Sequence, residues 1–330
     1  MTRSSTIFLL AALASIIFYF YHNQIPILRS LPFISSSTSY QLYDKWRECM
    51  KEDMDYLISS DIDTFWNNLE NPVQKCETLR SLRQVKMEPF TNSDETKYSI
   101  LPICGNTVMT VITLGVGQDV NAELELQKRL GNYSVQFFGA DPIVEGNDEL
   151  FSQVGTFFPF AIGNSSRMGK ASVLLDGNYV DKRVIHVEFI QFLKGIIGKT
   201  FYDNLWIDGE YAEYELFDYF YDGGKLDQEG ITVCQFNMEF HLPNAARKFE
   251  FKKFITRIYD DRRYAFFRPM FYNNTIAGTE GAKIEREIDL KPSQPCPPMI
   301  VIAKSAITRS CGIAFLPVSH FIGMQPQKPV

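Results

Sequence analysis

The sequence predicts an α/β domain built on a Rossmann-like, mostly parallel sheet with helices on both faces. From residue 108 onward, short apolar runs rich in β-branched and aromatic residues alternate with stretches of helical periodicity. This alternation is typical of parallel strands that are buried on both faces. The chain has 330 residues, of which 45% are hydrophobic, so it is long enough for one large core with extensions.

Seven runs are predicted to be strands. They span residues 108–114, 135–140, 157–162, 201–207, 231–240, 263–272 and 299–303. Pro159 weakens the third run as a central strand, because proline cannot donate to the ladder. Residues 120–130 and 244–260 are predicted to be helices, and a long loop precedes the last strand.

A helical preface is predicted over residues 39–99, ahead of a main domain over residues 100–330. Within 40–83, apolar residues recur at helix-like spacing, and Asn71 followed by Pro72 is typical of a helix start. Residues 87–98 are polar and are predicted to form a loop.

The N-terminus predicts a single membrane tether. Residues 7–21 carry no charge and would form a helix of about 22 Å, somewhat short of a hydrocarbon core of about 30 Å. We interpret residues 1–22 as an uncleaved signal anchor of the secretory pathway, followed by a stalk over residues 23–38. The alternative is a cleaved signal and a secreted protein, with the cut after Ala14 or among Ser35, Ser36 and Ser37.

Charge, cysteines and sequons narrow the class of protein further. The formal net charge of −6 disfavours a nucleic-acid partner. The chain has six cysteines but no C-x-x-C pair, so disulfides are permitted in a lumenal domain and no metal site is predicted. Cys234 lies in an apolar run and is predicted to be a buried thiol. Sequons at Asn132, Asn164 and Asn273 predict a glycoprotein, with Asn164 poorly occupied if it borders an active pocket.

Residues that follow the first two strands predict a nucleoside-type ligand site. In a doubly wound sheet, ligands bind beyond the carboxyl ends of the strands, at the switch point. Gly115 and Gly117 follow the first strand and would let the backbone approach a ligand. Asp141 follows the second strand, where a carboxylate can hold ribose hydroxyls, although an Asp-Pro turn is the alternative. The dinucleotide fingerprint fails at Val120, which disfavours a nicotinamide-dependent oxidoreductase.

Acidic residues follow the fourth and fifth strands and are the candidate catalytic groups. Asp208 and Glu210 come just after the fourth strand, and Glu213 follows one helical turn later, where a solvated helix N-terminus is the alternative. Glu239 and His241 share one face of an extended chain and could accept a hydroxyl proton, although a structural histidine is the alternative.

Four segments, TLGVGQD, FFGADP, LWIDGEYAEYE and CQFNMEFH, together resemble the FkbM-type methyltransferases, in particular the branch abundant in nematodes. The resemblance covers about residues 100–270. It implies a seven-stranded class I fold, S-adenosylmethionine as cofactor, and methyl transfer to a hydroxyl of a glycan, lipid or small molecule. It further implies that Asp208 and Glu210 lie near the reaction centre. The implied cofactor-binding residues are Gly115, Gly117, Asp141, Ala161, Ile162 and Gly163.

The sequence departs from the family pattern at three positions. Thr113 stands where an acid usually opens the glycine loop, Asp119 replaces the last glycine of that loop, and Tyr211 replaces the glycine of D-x-E-G-x-E. These departures motivate a second hypothesis, in which the chain is a catalytically inactive binding or interaction module of the secretory pathway.

Overall fold

The computed structural model describes residues 36–85, 87–93, 95–101, 108–131, 134–175, 178–241, 244–269 and 299–303. The predicted signal anchor, the sequons at Asn132 and Asn273, and the cysteines other than Cys49, Cys76 and Cys234 lie outside these ranges. Within them, no helix is both long enough and apolar enough to cross a membrane.

Three helices and a hairpin come before the central sheet. They are α1 (Ser36–Ser59), α2 (Ile62–Asn68), α3 (Glu70–Glu77), β1 (Met87–Thr91) and β2 (Thr96–Ile100). Helical structure over residues 40–83 is therefore confirmed. The helix start predicted at Asn71 is wrong, because α3 begins at Glu70 directly after α2 and its N-cap, Leu69, makes no side-chain hydrogen bond. The end of the predicted stalk, residues 36–38, belongs to α1.

The loop predicted over residues 87–98 is also wrong, since β1 and β2 pair there as an antiparallel hairpin. The buried face of β2 carries Lys97 and Ser99. Strands usually carry apolar residues on the buried face and polar residues on the exposed face. Because β2 lacks this pattern, its sequence is typical of a loop. Side-chain amides of Asn237 and Gln235 each exchange two hydrogen bonds with the β2 backbone, at Tyr98 and Ile100, which hold the hairpin against the main domain.

A disulfide joins Cys49 on α1 to Cys76 on α3, across a separation of 27 residues. Closing a loop of that length stabilises a fold by about 3–4 kcal/mol in the chain-entropy account. Cys234 is a buried free thiol, which confirms the prediction for that residue.

Twelve strands, five α-helices and shorter helical turns make up the rest of the described chain. The strands are β3 (Met109–Leu114), β4 (Val135–Ala140), β5 (Gly155–Phe158), β6 (Ala161–Gly163), β7 (Arg167–Leu175), β8 (Asn178–Glu188), β9 (Phe201–Tyr202), β10 (Asn204–Ile207), β11 (Thr232–Val233), β12 (Gln235–Met238), β13 (Tyr264–Phe267) and β14 (Met299–Ala303). The helices are α4 (Asn121–Leu130), α5 (Asn147–Phe151), α6 (Phe217–Phe220), α7 (Lys225–Gln228) and α8 (Ala245–Asp261). A π-helix spans Gln191–Ile197, and 3-10 helices span Leu82–Gln84 and Ala212–Leu216.

Seven of these strands form one sheet in the order β13-β14-β12-β10-β3-β4-β5. The neighbours from β12 to β5 are parallel, and β14 runs antiparallel to both of its neighbours. Counted along the chain within this sheet, the order is 3-2-1-4-5-7-6, which is the doubly wound order with one antiparallel strand inserted near the edge. The predicted Rossmann-like sheet is confirmed, and its switch point lies between β3 and β10.

Three predicted strands are interrupted in the structure. Pro159 separates β5, in the main sheet, from β6, which joins β7 and β8 in a second sheet. The fourth and fifth runs each divide into a short strand and a main-sheet strand, and the two short strands, β9 and β11, pair with each other. The long β7–β8 hairpin was not predicted.

Side chains pack on both faces of the main sheet, as predicted. On one face Leu205 and Ile207 of β10 join a core with Trp46 of α1, whose ring meets Phe266 edge-on at 5.1 Å. On the other face Trp206 joins a separate core with residues of α4. Burial on both faces leaves the strand ends as the places where polar groups of the sheet reach solvent.

Candidate active site

The residues that follow four neighbouring strands continue the sheet's hydrogen-bond ladder at one edge. Gly115 donates to the Ala140 carbonyl at 2.9 Å, Asp208 to the Leu114 carbonyl at 2.8 Å, and Glu239 to the Ile207 carbonyl at 2.9 Å. Asp141 donates to the Phe158 carbonyl at 3.1 Å. The predicted site residues after β3, β4, β10 and β12 are therefore adjacent, because parallel strands end at the same edge.

Gly115 makes the close approach at the switch point possible. Its φ is +84°, and a Cβ atom there would lie 1.9 Å from the backbone oxygen of Asp208. Any side chain at this position would separate the turn after β3 from the end of β10.

A cavity of about 230 Å³ opens at this edge. The predicted site residues that line it are Gly115, Gly117, Asp141, Ala161, Ile162, Asp208 and Glu210. Gly163 does not line it, and a Cβ atom at that position would lie 3.5 Å from Glu215 Oε2. Arg167, Lys170 and His186 of the β7–β8 hairpin form part of the opposite wall, and the sequence analysis missed them together with the hairpin.

The Asp141 carboxylate is buried and braces the glycine loop. Its Oδ2 accepts hydrogen bonds from the backbone of Val116 at 2.9 Å and Gly117 at 3.4 Å, and its Oδ1 accepts from Ile143 at 2.7 Å. Burial raises the pKa of Asp141, and these backbone donors oppose the increase. Asn147 supports the same loop by accepting from the Gln118 backbone at 2.8 Å. Asp141 therefore accepts a hydrogen bond within the turn after β4 and also lines the cavity.

His241 stands at the centre of a group of carboxylates beside the cavity. Its Nε2 lies 3.3 Å from Asp208 Oδ1, 3.7 Å from Glu210 Oε1 and 3.9 Å from Glu239 Oε1. Its Nδ1 lies 3.0 Å from Glu213 Oε1. His241 and Glu239 do not line the cavity, so they reach it through Asp208 and Glu210.

Glu213 is fully buried, which corrects the interpretation of a solvated acid at a helix N-terminus. Its Oε1 accepts from the Gly209 backbone at 2.7 Å as well as pairing with His241. The carboxylate folds back onto the Asp208–Glu210 turn because this donor and the imidazole lie there. The spacing of these residues in the sequence does not reveal that the Glu213 side chain folds back in this way.

Burial and neighbouring charge shift the pKa values in this group. Burial raises the pKa of Asp208, and His241 opposes that increase. Burial, and then the charge of Asp208, raises the pKa of Glu239. Burial alone would lower the pKa of His241, but Glu213 and then Asp208 and Glu210 raise it well above its usual value. Burial therefore favours the neutral forms of Asp208 and Glu239, whereas the neighbouring carboxylates favour the charged form of His241.

A buried ion pair next to the site was also not predicted from the sequence. Lys97 Nζ lies 2.7 Å from Glu95 Oε1, and both side chains are more than nine-tenths buried. Burial opposes the charge of Lys97, but Glu95, Glu123 and Asp208 together raise its pKa. Both residues belong to the β1–β2 hairpin. They were missed because residues 87–98 were predicted to form a loop.

The model of the methyltransferase FkbM domain matches residues 49–266. The chain belongs to the FkbM methyltransferase family. No curated protein and no solved structure matches it. The FkbM match begins within the predicted preface, and membership implies a methyl donor of the S-adenosylmethionine type in general.

Two departures from the FkbM pattern have structural explanations. Thr113 is buried and donates to Glu123 Oε1 at 2.7 Å, so a carboxylate lies behind the strand although the strand itself carries none. Asp119 accepts from the Asn121 backbone at the start of α4 and from the Ser93 backbone in the β1–β2 turn, both at 2.8 Å. Asp119 thus joins the loop to the hairpin, a task that glycine cannot perform.

The third departure, Tyr211, keeps the backbone conformation that glycine favours, with a φ of +86°. Its ring lines the cavity and meets the His241 ring edge-on at 6.0 Å. The guanidinium of Arg247 lies 4.4 Å from the ring centroid. The FkbM turn is therefore preserved, and an aromatic wall is added to the cavity.

Proposed function

We propose that this chain is an S-adenosylmethionine-dependent O-methyltransferase that acts on a hydroxyl of a glycan, lipid or small molecule. The observation that carries the proposal is that Asp208 and Glu210 line the same cavity as the glycine loop and Asp141. Family membership supports methyl transfer in general. The carboxylate group around His241 supports oxygen as the acceptor, because a hydroxyl must lose a proton.

The residues of the cavity fit the parts of S-adenosylmethionine. Asp141 has the carboxylate that ribose hydroxyls require, and Ala161 and Ile162 offer apolar surface for the adenine. Asp208 and Glu210 provide negative charge for the sulfonium. When bound, this cofactor supplies a methyl carbon attached to a cationic sulfur, which an oxygen can attack directly.

The chain's own residues would orient the acceptor and receive its proton. The acceptor hydroxyl would lose its proton to the group of carboxylates around His241. Our first choice of final proton acceptor is Glu239, followed by His241 and Asp208. Glu239 and His241 would receive the proton through Asp208 and Glu210, which line the cavity. Glu213 holds the imidazole of His241 in place through Nδ1. Alignment of the reacting atoms supplies most of the acceleration in such a displacement.

The test is methyl transfer by the purified full-length chain from isotopically labelled S-adenosylmethionine to a panel of hydroxyl acceptors. We expect turnover with at least one acceptor class and a loss of about 100- to 10,000-fold in kcat for Glu239→Gln, the range typical of a lost general base. Glu250→Gln, on the exposed side of α8, is the control. Equal rates for Glu239→Gln and Glu250→Gln would remove Glu239 from the mechanism.

A binding module without turnover is the second candidate, and one observation favours it. The backbone amides of Val116, Gly117 and Gln118 already donate to the Asp141 or Asn147 side chain. Those amides are therefore not available to a ligand unless the loop rearranges. No saturable binding of S-adenosylmethionine and no methyl transfer to any acceptor class would support this second function.

We also propose that the domain is lumenal and is tethered to an endoplasmic reticulum or Golgi membrane by residues 1–22. The Cys49–Cys76 disulfide supports an oxidising compartment. Mass spectrometry of the mature N-terminus separates this anchor from a cleaved signal and a secreted protein. A mature chain that begins after residue 22 would refute the anchor.

A further inference from the structure

We propose that Asp208, Glu239 and His241 form a binding site for one divalent transition-metal ion, Mn²⁺ or Zn²⁺, beside the cavity. Metal binding by these residues does not rest on the proposed function. No metal site was predicted from the sequence, because the chain has no C-x-x-C pair. The candidate site instead uses two carboxylates and one imidazole.

The sheet brings the three donor groups together. One ligand atom from each residue lies within 4.8 Å of the other two. Asp208 follows β10 and Glu239 follows β12, and these strands are parallel neighbours in the sheet. Ligands at about 2.0–2.2 Å from an ion are separated by about 3–3.5 Å, so small rotations of the side chains complete the site.

His241 is already oriented as a metal ligand. The fully buried Glu213 pairs with Nδ1, so Nε2 faces Asp208 and Glu239. A carboxylate that fixes the remote nitrogen of a ligating histidine is the usual outer support of such sites. This arrangement distinguishes the group from a simple cluster of acids.

A buried oxygen atom that accepts no hydrogen bond provides an independent indication of a missing cation. Asp208 Oδ1 lies 3.3 Å from His241 Nε2 and points into the site, but it is shielded from solvent and accepts no hydrogen bond from the described part of the chain. Such an oxygen is rare in folded proteins, and an absent ion is one of its few explanations.

The donor set selects among divalent ions, since it combines one imidazole with two carboxylates. Imidazole suits Zn²⁺ and carboxylates suit Mn²⁺, whereas Ca²⁺ takes six to eight oxygen ligands, so we expect Ca²⁺ to bind poorly.

The experiment titrates MnCl₂ into the purified full-length chain after treatment with a chelator, with free Mn²⁺ followed by electron paramagnetic resonance. We expect one saturable site per chain that Zn²⁺ displaces and Ca²⁺ does not. Asp208→Asn and Glu239→Gln, which preserve side-chain shape, should weaken binding by more than about 100-fold, and Glu213→Gln by about 10- to 100-fold. His186→Ala removes a histidine of the cavity wall that is outside the site, so its Mn²⁺ affinity should match that of the unmodified chain.

Thermal denaturation of each variant checks that it is folded. The proposal is overturned if the unmodified chain leaves all Mn²⁺ free at millimolar concentration, or if Glu239→Gln and His186→Ala bind equally well. S-adenosylmethionine binding is measured on the same samples. Metal binding without cofactor binding would refute the proposed function alone, and cofactor binding without metal binding would refute this site alone.

Discussion

Tyr211 combines a glycine-like backbone with an aromatic side chain at the cavity. Left-handed backbone conformations cost a residue with a Cβ atom about 1–2 kcal/mol, and such strain concentrates at functional sites. Its ring contacts with His241 and Arg247 offset part of this cost. We interpret the ring as a contact for a ligand or for the acceptor.

Two substitutions at this position isolate the backbone strain. Tyr211→Gly and Tyr211→Ala both remove the ring, but only glycine accepts a φ of +86° without strain. We expect the glycine variant to be more stable than the alanine variant by about 1 kcal/mol, since the greater freedom of glycine in the unfolded chain reduces the difference. Guanidinium unfolding measures this. An alanine variant more stable than the glycine variant by about 0.4–1 kcal/mol, the entropy difference alone, would show that the turn carries no strain.

Individual site residues were predictable where they follow a strand end, and were missed where burial reverses their expected role. Asp141 and Asp208 could be selected because parallel strands end at one edge of a sheet. Glu213 and Lys97 could not, because a charged residue in a sequence gives no sign that another part of the chain will bury and pair it. Burial of Lys97 could have been predicted only if residues 96–100 had first been predicted to form a strand.

At the scale of elements, the parallel strands were predictable and the additions to the sheet were not. The predicted strands at 135–140 and 299–303 have the bounds of β4 and β14, because uninterrupted apolar runs have few other structures open to them. The β7–β8 hairpin carries exposed and charged residues on both strands, including Met168, Lys170 and Ile185. Its pattern lacks the buried face that makes a strand recognisable.

The turn after β3 determines how closely two elements meet at the switch point, and its two glycines have different roles. In Gly115→Ala the new Cβ collides with the Asp208 carbonyl. In Gly117→Ala the new Cβ would have no other atom within 4 Å. We expect Gly115→Ala to lower the free energy of unfolding by about 2–5 kcal/mol, from steric overlap and strain together. Gly117→Ala should lower it by about 1–2 kcal/mol, from strain alone.

Chemical denaturation of both variants checks this difference, with the unmodified chain as reference. Equal losses for Gly115→Ala and Gly117→Ala would mean that the turn does not press on the end of β10. The cavity would then have no fixed wall at the switch point.

At the scale of the whole molecule, the sheet gathers residues that are far apart in the sequence. Asp141 and Asp208 line the same cavity, and His241 lies against Asp208. The family match over residues 49–266 includes the helices α2 and α3 and the hairpin that carries Lys97. The helical preface therefore contributes Lys97 to the surroundings of the site. The glycine loop and the acidic residues follow the ends of the main-sheet strands.

Cofactor binding by the full-length chain tests the central claim most directly, with calorimetric titration of S-adenosylmethionine into the unmodified chain, Asp141→Ala and Asn147→Ala. Both substitutions loosen the same loop, but only Asp141→Ala removes the carboxylate assigned to the ribose. We predict one saturable site, an increase in Kd of about 10- to 100-fold for Asp141→Ala, and a clearly smaller increase for Asn147→Ala. No saturable binding to the unmodified chain, or equal increases in the two variants, would contradict this account.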